Sequence, residues 1–281
     1  GGDIVVTARR ATNVLGAPGQ TTLNADAIEG IASVNRDLRD LMRRDPLTSL
    51  DPNPRGRAIS IGGASPRANR FTIDGVAIGD DFGLNAGGLP SARGIVSLDA
   101  IDQLSVRAVP VDIAEGDLQG GSVNIVLKSG TNRFHGGAFG IYGDGGLQGT
   151  EPYDNVRVDG TRVPAASGRL TPVPEFVDFG ANLSGPIIKD TLFFAVSYEQ
   201  LRESQVSVRG LAGEGAGTEI PFVTRANVDR VRDILQNNYG YDALDIARDL
   251  PEKDRKASAK IDWNISDHHR LALTYIYHNN E

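Results

Sequence analysis

The chain has 281 residues, 40% of them apolar, no cysteine, and a net charge of −7 from 29 Lys and Arg against 36 Asp and Glu. The acidic balance argues against a nucleic-acid binder, and the absence of thiols excludes disulfide scaffolds, thiolate metal sites, iron–sulfur clusters and cysteine nucleophiles. No run approaches the roughly 18 apolar residues of a spanning helix, so a bilayer could be crossed only by strands of about 10 alternating residues.

In chain order, Ser33 or Asn35 is the expected cap of a helix whose apolar positions Val34, Leu38, Leu41 and Met42 follow the 3.6-residue period, with Pro46 ending it. Ala58 to Ile61 and Arg70 to Ile73 are short β-prone runs. Asp74-Gly75 after the second predicts a tight hairpin into Val76, Ala77 and Ile78. Gln103 to Val109 and Ser122 to Leu127 read as two more strands, with Pro110 to Gln119 a loop.

The composition then changes. Of 17 aromatic residues only Phe71 and Phe82 precede position 133. Arg133 to Tyr142 alternates weakly. From Val177 the pattern sharpens: Val177, Phe179, Ala181, Leu183 and Ile187 lie on one face, Asp178, Gly180, Asn182 and Ser184 on the other. Leu192, Phe194, Val196 and Tyr198 continue it after a Lys189-Asp190 turn, with Phe193 out of pattern. Ala257, Ala259, Ile261, Trp263 and Ile265 alternate at every step. After Asp267-His268-His269, Leu271, Leu273, Tyr275 and Tyr277 share a face.

The connections alternate between long, near 30 and 54 residues, and short, two or three. That asymmetry, with apolar faces turned to lipid and polar faces to a lumen, fits an outer-membrane barrel better than a soluble sandwich. Inside the second long connection, Thr224 is expected to cap a helix carrying Val228, Val231, Ile234 and Leu235, with Gly240 past its end. No G-x-G-x-x-G, G-x-x-x-x-G-K, G-x-S-x-G or H-E-x-x-H occurs, and His135, His268, His269 and His278 lack metal-site spacing. The residues therefore point to neither an enzyme nor a metal or cofactor protein. The carboxylates read as surface charge.

Four segments resemble TonB-dependent outer-membrane receptors. Asp3-Ile4-Val5-Val6-Thr7-Ala8 is similar to the TonB box. Asn69 to Val76 resembles the plug stretch ending in I-D-G-V, and Gly120 to Gly136 resembles the plug-to-barrel junction. Asp178 to Asp190 followed by Leu192-Phe193-Phe194 looks like the first barrel hairpin of the Oar-like branch. Ile61-Gly62-Gly63 departs from the family's Ile-Arg-Gly, which removes a plug-to-barrel contact made there by arginine; Arg57 and Arg70 are the alternatives to consider.

The resemblance implies an α+β plug domain followed by about five antiparallel strands of a barrel that numbers about 22 when complete. The expected divisions are a TonB box and linker at 1–12, a plug at 13–132, and a partial barrel at 133–281. Its strands are expected near 133–142, 176–188, 191–202, 257–266 and 270–279. A whole barrel at roughly 20 residues per strand and connection needs about 450 residues after the plug, so an N-terminal fragment is expected, and Gly1 fits a processed or truncated start.

The implied function is active import across the outer membrane, with TonB and its inner-membrane energising complex pulling on Asp3 to Ala8. The plug and box would reach the periplasm, and the partners would be TonB, the lipid bilayer and a ligand. Asp80, Asp81 and Phe82 are candidates for a ligand-facing plug loop. Siderophores, cobalamin, sugars and peptides are all open as ligands. A passive porin or an adhesin-type barrel is the alternative.

Overall fold

A computed structural model describes residues 19–33, 36–50, 58–80, 88–89, 91, 93–108, 120–144, 147, 155–156, 162–163, 175–206, 209–213, 218–246 and 249–281. Contacts divide the chain into two compact units. The first comprises Gly1–Phe139, Phe179–Gln200 and Asp254–Asn280, the second Gly140–Asp178, Leu201–Lys253 and Glu281.

In the first unit β1 (Gln20–Asn24) runs straight into α1 (Ala25–Glu29), because the Asn24 side chain accepts from the Ala27 amide at 3.0 Å and caps the helix. Helix α2 (Leu38–Met42) is shorter than its periodicity suggests, and its cap is Asp37, which accepts from the Arg39 amide at 3.0 Å. Ser33, an expected cap, instead accepts from the Asp37 amide and donates to Asp40 at 2.6 Å, fixing the turn before the helix. Val34 and Asn35 lie outside the described residues. Leu38, Leu41 and Met42 are buried as the period requires, and the helix ends at Arg43, before Pro46.

Next come β2 (Thr48–Leu50) and β3 (Ile59–Ile61), paired antiparallel, then the hairpin β4 (Arg70–Ile73) and β5 (Val76–Ile78). Asp74 and Gly75 both take positive φ, 48° and 86°, the geometry of the two-residue hairpin turn that Asp-Gly favours. With β1, β6 (Ile101–Arg107) and β7 (Ser122–Leu127) the hairpin strands form a five-stranded sheet, order β1-β6-β7-β4-β5, in which only β4 and β7 run parallel, while β2 and β3 stand as a sheet of two. The predicted loop from Pro110 to Gln119 falls outside the described residues.

One apolar core lies under this sheet, built on Phe71, Ile73, Leu104, Ile125, Leu38 and Met42 among others. Each such side chain contributes roughly 1.5–3 kcal/mol of burial. Gly121 lets β3 lie directly on the backbone: a Cβ there would stand 2.3 Å from the Ile61 side chain. Asn69 ties the same place together, donating to the Ile59 carbonyl at 2.7 Å and accepting from the Gly121 amide at 3.2 Å.

The remaining strands are β8 (His135–Gly143), the short pair β9 (Asn155–Val156) and β10 (Arg162–Val163), then β11 (Phe176–Ile188) and β12 (Leu192–Val206). They are followed by the parallel pair β13 (Arg209–Leu211) and β14 (Thr218–Ile220), helix α3 (Arg225–Tyr239), β15 (Asp249–Ser266) and β16 (His269–Asn280). The long strands make a second sheet, order β16-β15-β12-β11-β8, which among the described residues does not close on itself.

β15 begins at Asp249, several residues before its clean alternation. Apolar patterning is missing there, yet backbone pairing with β16 extends to Asp254 opposite Asn280. In the second unit α3 matches expectation at both ends: Thr224 accepts from the Asn227 amide at 3.3 Å, and Gly240 closes the helix at φ 64°.

Candidate functional site: a charged seam on the inner face of the strands

The long strands are inverted relative to a soluble sandwich. On β15, Ile261, Trp263 and Ile265 are 41%, 44% and 50% exposed, while Asp254, Lys256, Ser258, Lys260 and Asp262 are all buried. On β16, Leu271, Leu273 and Tyr275 are exposed, and they pair across with Trp263, Ile261 and Ala259 to make one continuous apolar belt. Phe179, Leu183, Ile187, Val196 and Tyr198 continue it on β11 and β12. A belt of this extent has no place in water.

Phe193, out of pattern in the sequence, belongs to the inward row with Ala195, Ser197 and Glu199 and packs at Gly130, whose backbone lies against it. On the long strands the reading of carboxylates as surface charge is therefore wrong for four residues: Asp178, Glu199, Asp254 and Asp262 are no more than 2% exposed. They lie on the polar side of strands whose apolar side points out.

Within the first unit these inward charges meet residues of the helix and loops beside the mixed sheet. Glu199 is the hub. It accepts from Ser97 Oγ at 2.7 Å and Arg36 Nε at 3.3 Å, and pairs with Lys256 Nζ at 3.3 Å. Arg36 also pairs with Asp99 at 2.8 Å, and Lys256 with Asp254 at 3.5 Å; Asp254 in turn meets His278 Nε2 at 3.1 Å.

Arg36 is held at φ 48°, a conformation that costs a side-chain-bearing residue about 1–3 kcal/mol, and its guanidinium lies 3.6 Å from the centre of the Phe139 ring. The ring has room because position 180 is glycine; a Cβ there would come within 2.5 Å of it. Arg36 thus supplies an arginine contact to the strands, and Arg57 is outside the described residues. Arg36 escaped the sequence reading because nothing in its neighbourhood is periodic.

A second set of contacts joins the hairpin to the strands. Asp74 accepts from the Leu127 amide and from Thr274 Oγ1, each at 3.0 Å, and pairs with Lys260 Nζ at 3.1 Å. Lys260 also donates to the Leu127 carbonyl at 3.3 Å. Buried pairs of this kind stabilise little net of desolvation, but removing one partner strands the other charge.

Of the residues singled out in the sequence, Asp3 to Ala8, Asp81 and Phe82 lie outside the described residues. Asp80 is described and half-buried, its amide bonded to the Gly88 carbonyl at 3.2 Å. His135, His268 and His269 are exposed, and among the described residues no group of His, Asp and Glu has the arrangement of a metal site.

Residues 126–211 match the outer membrane beta barrel domain family. The TonB-dependent transporter Oar of Myxococcus xanthus is 31% identical over 141 residues, covering 50% of this chain and 12% of the relative. The probable TonB-dependent siderophore receptor PirA of Acinetobacter baumannii is 28% identical over 201 residues, 66% of this chain and 24% of the relative. Over the part of their length that it covers, the chain is similar to TonB-dependent outer-membrane receptors. Its place is the outer membrane, where the apolar belt has its solvent.

Among solved structures, the ferric enterobactin receptor of Pseudomonas aeruginosa superposes with a TM-score of 0.58 at 17% identity, over 94% of this chain and 33% of that one, which speaks for the fold alone. The chain thus spans between about an eighth and a third of the length of these proteins.

Proposed function

We propose that this TonB-dependent receptor imports a ligand actively across the outer membrane, with residues 13–132 as the plug and 133–281 as the start of a barrel of about 22 strands. The observation that carries the reading is the inverted burial of the strands: apolar outside, charged inside, against a mixed sheet that has its own core. A domain of that kind, fastened to a wall mainly by polar contacts, can be loosened while exposing little apolar surface to water.

The pull would come from TonB through Asp3 to Ala8. Its β-branched Ile4, Val5, Val6 and Thr7 suit strand addition to a partner, main-chain hydrogen bonds carrying the tension. Asp80, Asp81 and Phe82 are proposed to face the ligand. Siderophores are the first class to test, because the A. baumannii relative is named as a probable receptor for them.

The test is uptake by cells carrying the full-length receptor. Deleting Asp3 to Ala8, or replacing Val5 with Pro to remove a backbone donor, should abolish energised uptake while leaving ligand binding at the cell surface intact. Uptake that survives the deletion would point to a passive pore or an adhesin instead.

A further inference from the structure

Between the β4–β5 hairpin and strands β15 and β16 lies an open-sided cavity of about 340 Å³, walled by Ile73, Val76 and Ile78 on one side and Ala272 and Ile276 on the other. The polar contacts described across it gather at one end, on Asp74, with Lys260 and Thr274 facing it. The hairpin is the least anchored part of its sheet: β5 is a three-residue edge strand paired on one side only, and Val76 is 68% exposed.

Two residues beyond Lys260, on the same inward face, stands Asp262. It is 2% exposed, and neither carboxylate oxygen has a donor in full hydrogen-bond geometry, the Ser129 hydroxyl reaching it only weakly and the Lys260 ammonium acting on it through charge. A buried carboxylate left in that condition is costly unless a partner can reach it.

We infer that Lys260 is a two-position switch: paired with Asp74 it fastens the hairpin to the wall, and transferred to Asp262 it releases the hairpin so that this cavity widens into a passage along β15 and β16. Asp74 stays with the mixed sheet, because its other oxygen is held by the Leu127 amide. Lys260 stays with the wall. The exchange moves one ammonium between two carboxylates and leaves no charge unpaired on the wall side, so the barrier to opening is lower than for a pair broken outright. The inference rests on reading the mixed sheet as a plug, but opening of the gap can be measured with neither TonB nor ligand.

The experiment uses the full-length receptor in liposomes, with Ile276→Cys as reporter, since Ile276 packs partly buried against the core and is uncovered when the gap opens. Labelling of the introduced thiol by a membrane-impermeant maleimide is followed by peptide mass. Asp74→Asn should speed labelling about tenfold, and Asp262→Asn, which removes the second position, should slow it several-fold. An oxidised Asp74→Cys, Thr274→Cys pair should suppress labelling and reduction should restore it.

Equal labelling of the oxidised and reduced pair would overturn the inference, as would Asp74→Asn and Asp262→Asn shifting the rate in the same direction. The reversible cross-link keeps the test decisive if either Asn variant folds poorly. Loss of TonB dependence in the uptake assay, with this labelling pattern intact, would remove the transport reading and leave the switch in place.

Discussion

At the scale of single residues, Glu199 concentrates the most risk. It is 2% exposed and answers Ser97, Arg36 and Lys256 at once. Glu199→Ala would take the shared carboxylate from buried Lys256 and part-buried Arg36, leaving them Asp254 and Asp99 alone, and should destabilise the seam by about 3 kcal/mol, read as earlier thermal unfolding of the detergent-solubilised receptor. Glu199→Gln, which keeps the hydrogen bonds to Ser97 and Arg36 available, should cost clearly less. Gly121→Ala tests packing without charge. The new methyl would meet Ile61 at 2.3 Å, so about 1–3 kcal/mol should be lost and hydrogen exchange of β3 and β7 should accelerate.

At the scale of elements, α3 and the segment after it are joined by Arg225 to Asp245 at 2.8 Å. The Ile246 amide and then the Arg225 side chain hold the Asp245 carboxyl below its ordinary range. Because the folded value is depressed, the contact is complete above the ordinary aspartate range near 4 and is lost as pH falls through the lowered value. A carboxyl carbon titration by NMR should place Asp245 below free aspartate, and Arg225→Ala should move it upward. The helix itself was legible in advance, since Thr224, the apolar spacing and Gly240 are local signals. Helix α2 was legible in its buried face but not in its cap, because Asp37 becomes the cap only when Ser33 turns back to hold it. Strand β15 was legible only from Ala257 onward. Asp254, Arg255 and Lys256, just before that pattern, are held in the sheet by pairing with β16, a contact between residues more than 20 positions apart.

At the scale of the whole molecule, the belt formed by Phe179, Leu183, Trp263, Leu273 and Tyr275 has to meet lipid for the inner face to stay polar. Leu273→Arg puts a charge on that belt and should cost about 2–4 kcal/mol if the residue sits near the middle of the bilayer, with less folded receptor recovered from outer membranes. Thr274→Val, one residue on and facing inward, should leave membrane assembly unchanged and loosen only the hairpin. A barrel that tolerated Leu273→Arg and failed with Thr274→Val would have its faces the other way round.

Residue order alone sets the period of β11, β12, β16 and β15 from Ala257, the tight turns between them, the Asp-Gly hairpin and the capped helix α3, because each depends on residues within one or two turns or pleats of one another. It also sets which face of each strand is polar, but not what that face meets. Arg36 reaches Glu199 across 163 positions and Thr274 reaches Asp74 across 200, so the seam and its hub exist only once the mixed sheet and the strands are brought together. The same tertiary placement turns Glu199, Asp254 and Asp262 from apparent surface charges into buried ones. Alternation is a local property of a strand, whereas the partner of a buried charge is chosen by whatever the fold carries to it.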